Sequence, residues 1–126
     1  MQDGARINAF VGSSDLARSR VFYGGTLGLG LEHADPGAEV FDAGGAELRV
    51  TLVADVAPVP YTTVGWAVDD MDAAVDALRA AGVAFRRFDG MDQDSRGVWT
   101  APGGGRVAWF EDPDGNLLSL SQHAHG

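Results

Sequence analysis

The sequence predicts an α+β fold in which one unit of a strand, a helix and further strands occurs twice. An alternating apolar strand, an aspartate and a helical pattern run through residues 7–23 and recur at 64–78. Residues 41–50 and 107–120 each place an acidic, glycine-containing turn between two apolar strands. Because both matches occur in the same order in the two halves, they indicate a duplicated module.

A proline-rich segment joins the two copies. The composition of residues 54–60 suits a semi-rigid connector better than the interior of a strand. We therefore predict a single domain over residues 1–126, with one module at 6–53, this linker, and a second module at 61–122.

The first module begins with a strand and a short helix. Residues 6–12 alternate in polarity as a strand does, which places Asn8 and Phe10 on one face. Asp15 is a helix-capping residue, and the helix after it is expected to end before Gly24. Further strands are expected at residues 27–33, 39–42 and 47–53.

The second module repeats this order. Residues 61–68 are the expected first strand, and Asp70 caps a helix whose apolar residues recur at helical spacing until Gly82. In the turn at residues 112–115, proline presets one dihedral angle and glycine supplies a positive one, which predicts a hairpin. The remaining strands are expected on both sides of this turn and at residues 83–88 and 98–101.

Composition and charge exclude several classes of protein. The 126 residues suffice for one domain with a core, and the absence of cysteine excludes disulfides and cysteine-ligated metals. The formal charge of −9 disfavours nucleic acids and anionic membranes, because phosphates select basic patches. No signal-peptide pattern is present, and no apolar run approaches the ~20 residues that span a bilayer. We expect a cytoplasmic protein that binds neither nucleic acid nor membrane.

Four short motifs carry a resemblance to a known family. They are Ser-Arg-x-Phe-Tyr at 19–23, Leu-Gly-Leu at 27–29, Val-Asp-Asp at 68–70 and Asp-Pro-Asp-Gly-Asn at 112–116. In this order the chain resembles, over residues 6–122, the glyoxalase, bleomycin-resistance and extradiol-dioxygenase superfamily, also called vicinal oxygen chelate. The resemblance implies two βαβββ modules whose curved mixed sheets surround a concave cup. It also implies a homodimer, since short members often complete their cups with a second subunit.

The family's enzymes hold one divalent metal with four symmetrically placed side chains. One lies seven residues before each helix-capping aspartate, and the matching positions here are Asn8 and Thr63. The other lies four residues after each turn glycine, and the matching positions are Arg49 and Ser119. Because hydroxyls are poor ligands without anionic help and a guanidinium has no lone pair to give, we expect neither a metal nor another cofactor.

Arg49 and two tryptophans have alternative interpretations. Arg49 is either a fixed cation in a partly dry pocket or the partner of Glu47 or another acid on a solvated strand. Trp99 and Trp109 either wall a pocket or pack against each other across their own hairpin. Phe10 shares its strand face with Asn8, so it is expected to face the cup.

The function we predict is metal-independent binding of a small aromatic or anionic molecule, as in drug- or natural-product-sequestering members of this family. One alternative is a lyase, isomerase or dioxygenase of the same superfamily, with Arg49 stabilising an enolate. Another is a regulatory or partner-binding domain without a ligand. No catalytic residue is assigned. The predicted ligand-binding residues are Asn8, Phe10, Arg49, Thr63, Trp99, Trp109 and Ser119.

Overall fold

The computed structural model describes residues 1–124 and contains two compact units, Met1–Ala57 and Pro58–Gly126. Each unit has one four-stranded sheet, called sheet 1 and sheet 2 below, and one helix that packs on it. Each sheet mixes one parallel strand pair with antiparallel pairs. The predicted α+β fold of two βαβββ modules is confirmed.

Sheet 1 has the strand order β1-β4-β3-β2, in which β1 and β4 are parallel. The other two strand pairs are antiparallel. Its elements are β1 (Asn8–Ser13), α1 (Leu16–Arg20), β2 (Gly30–Asp35), β3 (Ala38–Asp42) and β4 (Glu47–Leu52).

The helix α1 packs on one face of sheet 1. The carboxylate of Asp15 caps it by accepting a hydrogen bond from the backbone N–H of Arg18, which is one of the helix-end donors without an internal partner. Below the helix, Tyr23 meets Phe41 with ring centroids 6.0 Å apart, and both side chains are fully buried. This contact identifies the face of sheet 1 that is covered by its helix.

A buried carboxylate also ties α1 to sheet 1. Glu39 on β3 is 5 % exposed, and Arg20 donates three hydrogen bonds to it at 2.8–3.1 Å. The carboxylate beside it raises the pKa of the Arg20 guanidinium. Because a buried charge without a partner is costly, this pair fixes the position of the helix on the sheet.

Sheet 2 has the strand order β5-β8-β7-β6, in which β5 and β8 are parallel. Its elements are β5 (Val64–Ala67), α2 (Met71–Ala80), β6 (Trp99–Thr100), β7 (Arg106–Glu111) and β8 (Leu117–Gln122). Asp70 caps α2 as predicted. Met71 and Val75 of α2 are fully buried, as are Phe110 and Leu118 on sheet 2, so this helix covers one face of its own sheet.

The prediction of a strand at residues 83–88 is wrong. That segment has no strand hydrogen-bonding pattern, although the Arg86 N–H donates to the carbonyl of Trp109 at 2.7 Å. The reason is Gln93, whose side chain accepts from the N–H of Phe88 and donates to the carbonyls of Arg86 and Gly97, at 2.7–2.9 Å. These backbone groups are therefore satisfied by one side chain instead of by a neighbouring strand.

The predicted end of the first helix is also wrong. The helical backbone continues from α1 through a wider turn, Val21–Thr26, in which the Leu27 N–H donates to the carbonyl of Phe22, five residues earlier. Gly24 lies inside this turn and does not stop it. As a result β2 begins at Gly30, later than the predicted strand at 27–33.

Neither helix found among residues 1–124 combines the length and the apolar character needed to cross a bilayer.

Candidate functional site

Each sheet has one face turned away from its helix, which we call the distal face. Phe41 and Leu48 are opposite each other and lie under α1. Because side chains alternate between the two faces along a strand, the residues directly before and after them in sequence lie on the distal face. Asn8, Phe10 and Arg49 are on the distal face of sheet 1. The shared face of Asn8 and Phe10 agrees with the alternation of the sequence.

Phe10 and Arg49 are directly opposite each other in the parallel pair of β1 and β4. Phe10 is 60 % exposed, which is high for a phenylalanine, whereas Arg49 is half-buried. On its other side Arg49 is opposite Val40, which is 6 % exposed. Residues that are opposite one another on adjacent strands form a row across the sheet. In its row, the guanidinium therefore has an aromatic ring on one side and an aliphatic side chain on the other.

Arg49 has no acidic partner in the part of the chain that the structure describes. Other arginines in residues 1–124 form ion pairs at 2.5–4.0 Å, whereas Glu47, the partner suggested by the sequence, forms none with Arg49. An unpaired guanidinium in a central strand keeps all five of its N–H donors for another molecule.

The rows on either side of Arg49 differ in charge. Glu47 and Asp42 are opposite each other in one adjacent row, and with Arg6 and Glu32 they line a small open pocket. The other adjacent row runs from Gly12 through Thr51 and Ala38 to Asp35 on β2, and a methyl group of Val53 lies 3.2 Å from the place that a Cβ of Gly12 would occupy. An anion at Arg49 is therefore repelled by the two acids of the first row, and the side chain of Val53 occupies the space next to Gly12.

Thr63 directly precedes β5, and Ser119 lies on β8 of sheet 2. The Thr63 hydroxyl donates to the carbonyl of Leu117 at 3.1 Å, and the Thr63 N–H donates to the same oxygen at 2.9 Å. Ser119 is 8 % exposed and opposite both Gly65 and Trp109. Both hydroxyls are thus held close to the backbone of sheet 2.

The two modules place these four residues in equivalent positions. Asn8 is opposite Glu47, two residues before Arg49, and Thr63 is bonded to Leu117, two residues before Ser119. The four groups are an amide, a guanidinium and two hydroxyls, so they do not fit a divalent metal. Within residues 1–124, no three histidine, cysteine, aspartate or glutamate side chains are grouped to hold one.

Trp109 is the centre of an aromatic cluster on the distal face of sheet 2. Its ring centroid is 6.2 Å from that of Trp99, with the ring planes inclined by 38°, and 5.4 Å from that of Phe88, at 83°. The two tryptophans do contact each other across the hairpin, but diagonally, since Val107 is the residue opposite Trp99. All three rings remain partly exposed.

No pattern in the sequence indicated that Phe88 belongs to this cluster. Its contact with Trp109 depends on the segment held by Gln93, which the pattern of apolar residues had assigned to a strand. Arg86 was missed for the same reason: its guanidinium carbon lies 5.0 Å from the ring centroid of Phe88, and it pairs with Glu111 at 2.8 Å.

A comparison with models of protein families identifies the family of this chain. The family model described as "Glyoxalase/Bleomycin resistance protein/Dioxygenase superfamily" matches residues 6–120, which is most of the sequence. The chain belongs to this superfamily. No curated protein sequence matches it. Membership confirms the resemblance stated from the sequence motifs, and it accounts for the duplicated module.

Solved structures with this fold include proteins with different names. TioX from Micromonospora sp. ML1 has a TM-score of 0.74 and 19 % identity, and the match covers 96 % of this chain and 100 % of that one. Lactoylglutathione lyase from Agrobacterium tumefaciens has a TM-score of 0.73 and 18 % identity, with 97 % and 96 % covered. Fosfomycin resistance protein FosX from Mesorhizobium loti has a TM-score of 0.68 and 19 % identity, with 98 % and 95 % covered. At these identities the similarity establishes the superfamily fold alone.

Proposed function

We propose that this member of the superfamily binds a small aromatic acid without a metal ion, and that it acts by sequestration. The observation that carries the proposal is the unpaired guanidinium of Arg49 opposite the exposed ring of Phe10. A ligand with a carboxylate and a flat ring would satisfy both groups at once.

The charge of Arg49 supports an anionic ligand. A half-buried guanidinium has lost part of its hydration, and a charge-assisted hydrogen bond to a carboxylate restores it. Such a bond is worth roughly 1.5–3 kcal/mol, more than a neutral hydrogen bond. Since the protein as a whole carries −9, the affinity for an anion has to come from this local contact and not from the overall field.

The aromatic residues support a flat ligand. Phe10 exposes 60 % of its surface, and burial of an exposed aromatic ring against a second ring is favourable. Asn8, on the same face of sheet 1, supplies a neutral hydrogen-bonding group that orients a molecule bound at Arg49 without adding charge.

The residues at the superfamily's metal positions support metal independence. Arg49 replaces a ligand with a permanent positive charge, and Thr63 already donates its hydroxyl hydrogen to the backbone. In the absence of a metal, binding requires affinity alone and no reactive group.

Calorimetric titration of the chelator-treated protein tests the proposal. Two matched probes are used, 2-naphthoate and its uncharged isostere 2-naphthamide, with metal content measured by mass spectrometry. We expect 2-naphthoate to bind in the presence of chelator and more tightly than 2-naphthamide. We also expect no rise in the unfolding temperature with zinc, nickel, manganese or iron(II).

Two outcomes would contradict the proposal. One is a tightly retained metal at full occupancy, or probe binding that appears only after a metal is added. The other is the absence of binding by both probes, which would favour a regulatory domain with no small ligand.

A further inference from the structure

Three acidic side chains of sheet 1 surround a small open pocket beside the row of Arg49. Glu47 and Asp42 are opposite each other in the adjacent row, and Glu32 of β2 lines the same pocket. Arg6 lines it as well, but in residues 1–124 it forms no ion pair with these acids. The surface next to the Arg49 guanidinium therefore carries a net negative charge.

An irregularity in β2 brings Glu32 to this pocket. The register of β2 against β3 shifts between Leu31 and His33, so Glu32 has no residue of β3 opposite it. His33 belongs to the row of Arg49, and Glu32 lines the pocket on the same face. Because the strand is bulged here, two consecutive residues face the distal side, and one of them adds a carboxylate near Arg49.

His33 does not offset these acids. It lies on β2 at the end of the row of Arg49, and its Nε2 is 3.5 Å from Oδ2 of Asp35. The backbone N–H groups of Gly37 and Ala38 donate to the other oxygen of Asp35 at 2.8 and 3.0 Å, and above all the bond from Gly37 holds the pKa of this carboxyl below its ordinary value. Asp35 is therefore ionised at neutral pH, and it balances any charge that His33 carries.

Glu47 is the acid that acts most directly on Arg49. The two residues are two positions apart on β4, which separates side chains on one face by about 7 Å. Asp42 lies one strand further away, and its Oδ1 accepts from the N–H groups of Gly44 and Gly45 at 3.0 and 3.3 Å. Within residues 1–124 the half-buried carboxylate of Glu47 has no such donor, so its full charge opposes negative charge on a ligand at Arg49.

From this arrangement we infer that Glu47 is a specificity-determining residue, which makes Arg49 select a carboxylate over a phosphate ester. The inference rests on the proposed function, since it names the acidic group of the same ligand. A guanidinium alone forms bidentate hydrogen bonds with either group. Because Glu47 repels each unit of charge on the ligand, a dianionic phosphate is repelled about twice as strongly as a carboxylate.

The test compares two variants that each remove one negative charge. Glu47→Gln keeps the size of the side chain beside Arg49, whereas Asp89→Asn changes an exposed acid in a turn outside sheet 1. Each protein is titrated by calorimetry with 2-naphthoate and with 2-naphthyl phosphate, in chelator at pH 8, where a phosphate monoester carries close to two charges. The ratio of the two affinities is compared, because a variant that is only less stable changes both affinities together.

We expect wild type to bind 2-naphthoate more tightly than 2-naphthyl phosphate. In Glu47→Gln the affinity for the phosphate should rise relative to that for the carboxylate by about threefold to tenfold, and in Asp89→Asn the ratio should stay within about twofold of wild type.

Three results would overturn this inference and leave the proposed function intact, provided that 2-naphthoate still binds. They are an unchanged ratio in Glu47→Gln, an equal change of the ratio in both variants, and tighter binding of the phosphate by wild type. Failure of the wild-type protein to bind either probe would overturn the proposed function, and this inference with it.

Discussion

The hydroxyl of Ser119 fills the space that a side chain at Gly65 would need. A Cβ at Gly65 would lie 2.5 Å from the Ser119 Oγ and 3.2 Å from the Ser119 carbonyl oxygen. The two residues are opposite each other in the parallel pair of β5 and β8, on the distal face of sheet 2. Glycine at this position therefore allows Ser119 to keep its hydroxyl close to the sheet.

Substitution of Gly65 by alanine is predicted to destabilise the protein by about 1–3 kcal/mol, because a methyl group would overlap the Ser119 hydroxyl. The double variant Gly65→Ala/Ser119→Ala should recover part of this loss, since it removes the Oγ but leaves the carbonyl contact. Denaturant unfolding of the two single variants and the double variant measures the coupling. Strictly additive effects would show that the two positions do not share this space.

Substitution of Phe10 by alanine is predicted to weaken 2-naphthoate binding about threefold to tenfold, because a stacking surface opposite Arg49 is lost. The free energy of unfolding should change by less than about 1 kcal/mol, since the ring is 60 % exposed. Ile7→Ala is the control, because Ile7 is 80 % exposed and precedes β1. Equal binding by both variants and wild type would place the ligand away from Phe10.

Asp72 is predicted to contribute to stability at neutral pH and to lose this contribution in acid. The Arg106 guanidinium bonds to it at 3.0 Å and, with Arg96, holds the pKa of this carboxyl below its ordinary value. A lowered pKa stabilises the folded protein above the pKa of the unfolded chain, and the effect disappears as the pH falls through the lowered value.

The measurement is the unfolding temperature of Asp72→Asn and wild type between pH 7 and pH 2. We expect the variant to be less stable at pH 7 and the difference to shrink below about pH 4. Asp3→Asn is the control, since Asp3 is exposed and pairs with no arginine in the described chain. A difference that stays constant with pH would contradict the assigned role of the charge.

Local signals in the sequence were sufficient for most of the fold. The caps at Asp15 and Asp70 were predicted because a side-chain oxygen before a helix acts within three residues. The shared face of Asn8 and Phe10 followed from strand alternation alone. In both cases the deciding interaction lies close along the chain or repeats with a fixed period.

The errors arose where a distant group decides the local structure. Residues 83–88 have the apolar content of a strand, but Gln93 satisfies their backbone groups from outside the segment. For the same reason, the contact between Phe88 and Trp109 could not be predicted from the sequence pattern. Likewise, the composition around Arg49 allowed an ion pair with Glu47, and only the three-dimensional arrangement shows that Arg49 lacks it.

Arg49 is proposed to bind the acidic group of a ligand without a metal. Arg49→Gln removes the cation and keeps a polar side chain of moderate length. Arg79→Gln makes the same change in net charge at an exposed arginine in the last turn of α2. The comparison therefore separates a direct contact from the general effect of charge.

The most direct measurement is calorimetric titration of 2-naphthoate and 2-naphthamide into wild type, Arg49→Gln and Arg79→Gln, all in chelator. We predict that Arg49→Gln weakens 2-naphthoate about tenfold, leaves 2-naphthamide within about twofold, and that Arg79→Gln binds both probes as wild type does. Equal affinity of Arg49→Gln and wild type for 2-naphthoate would contradict the account.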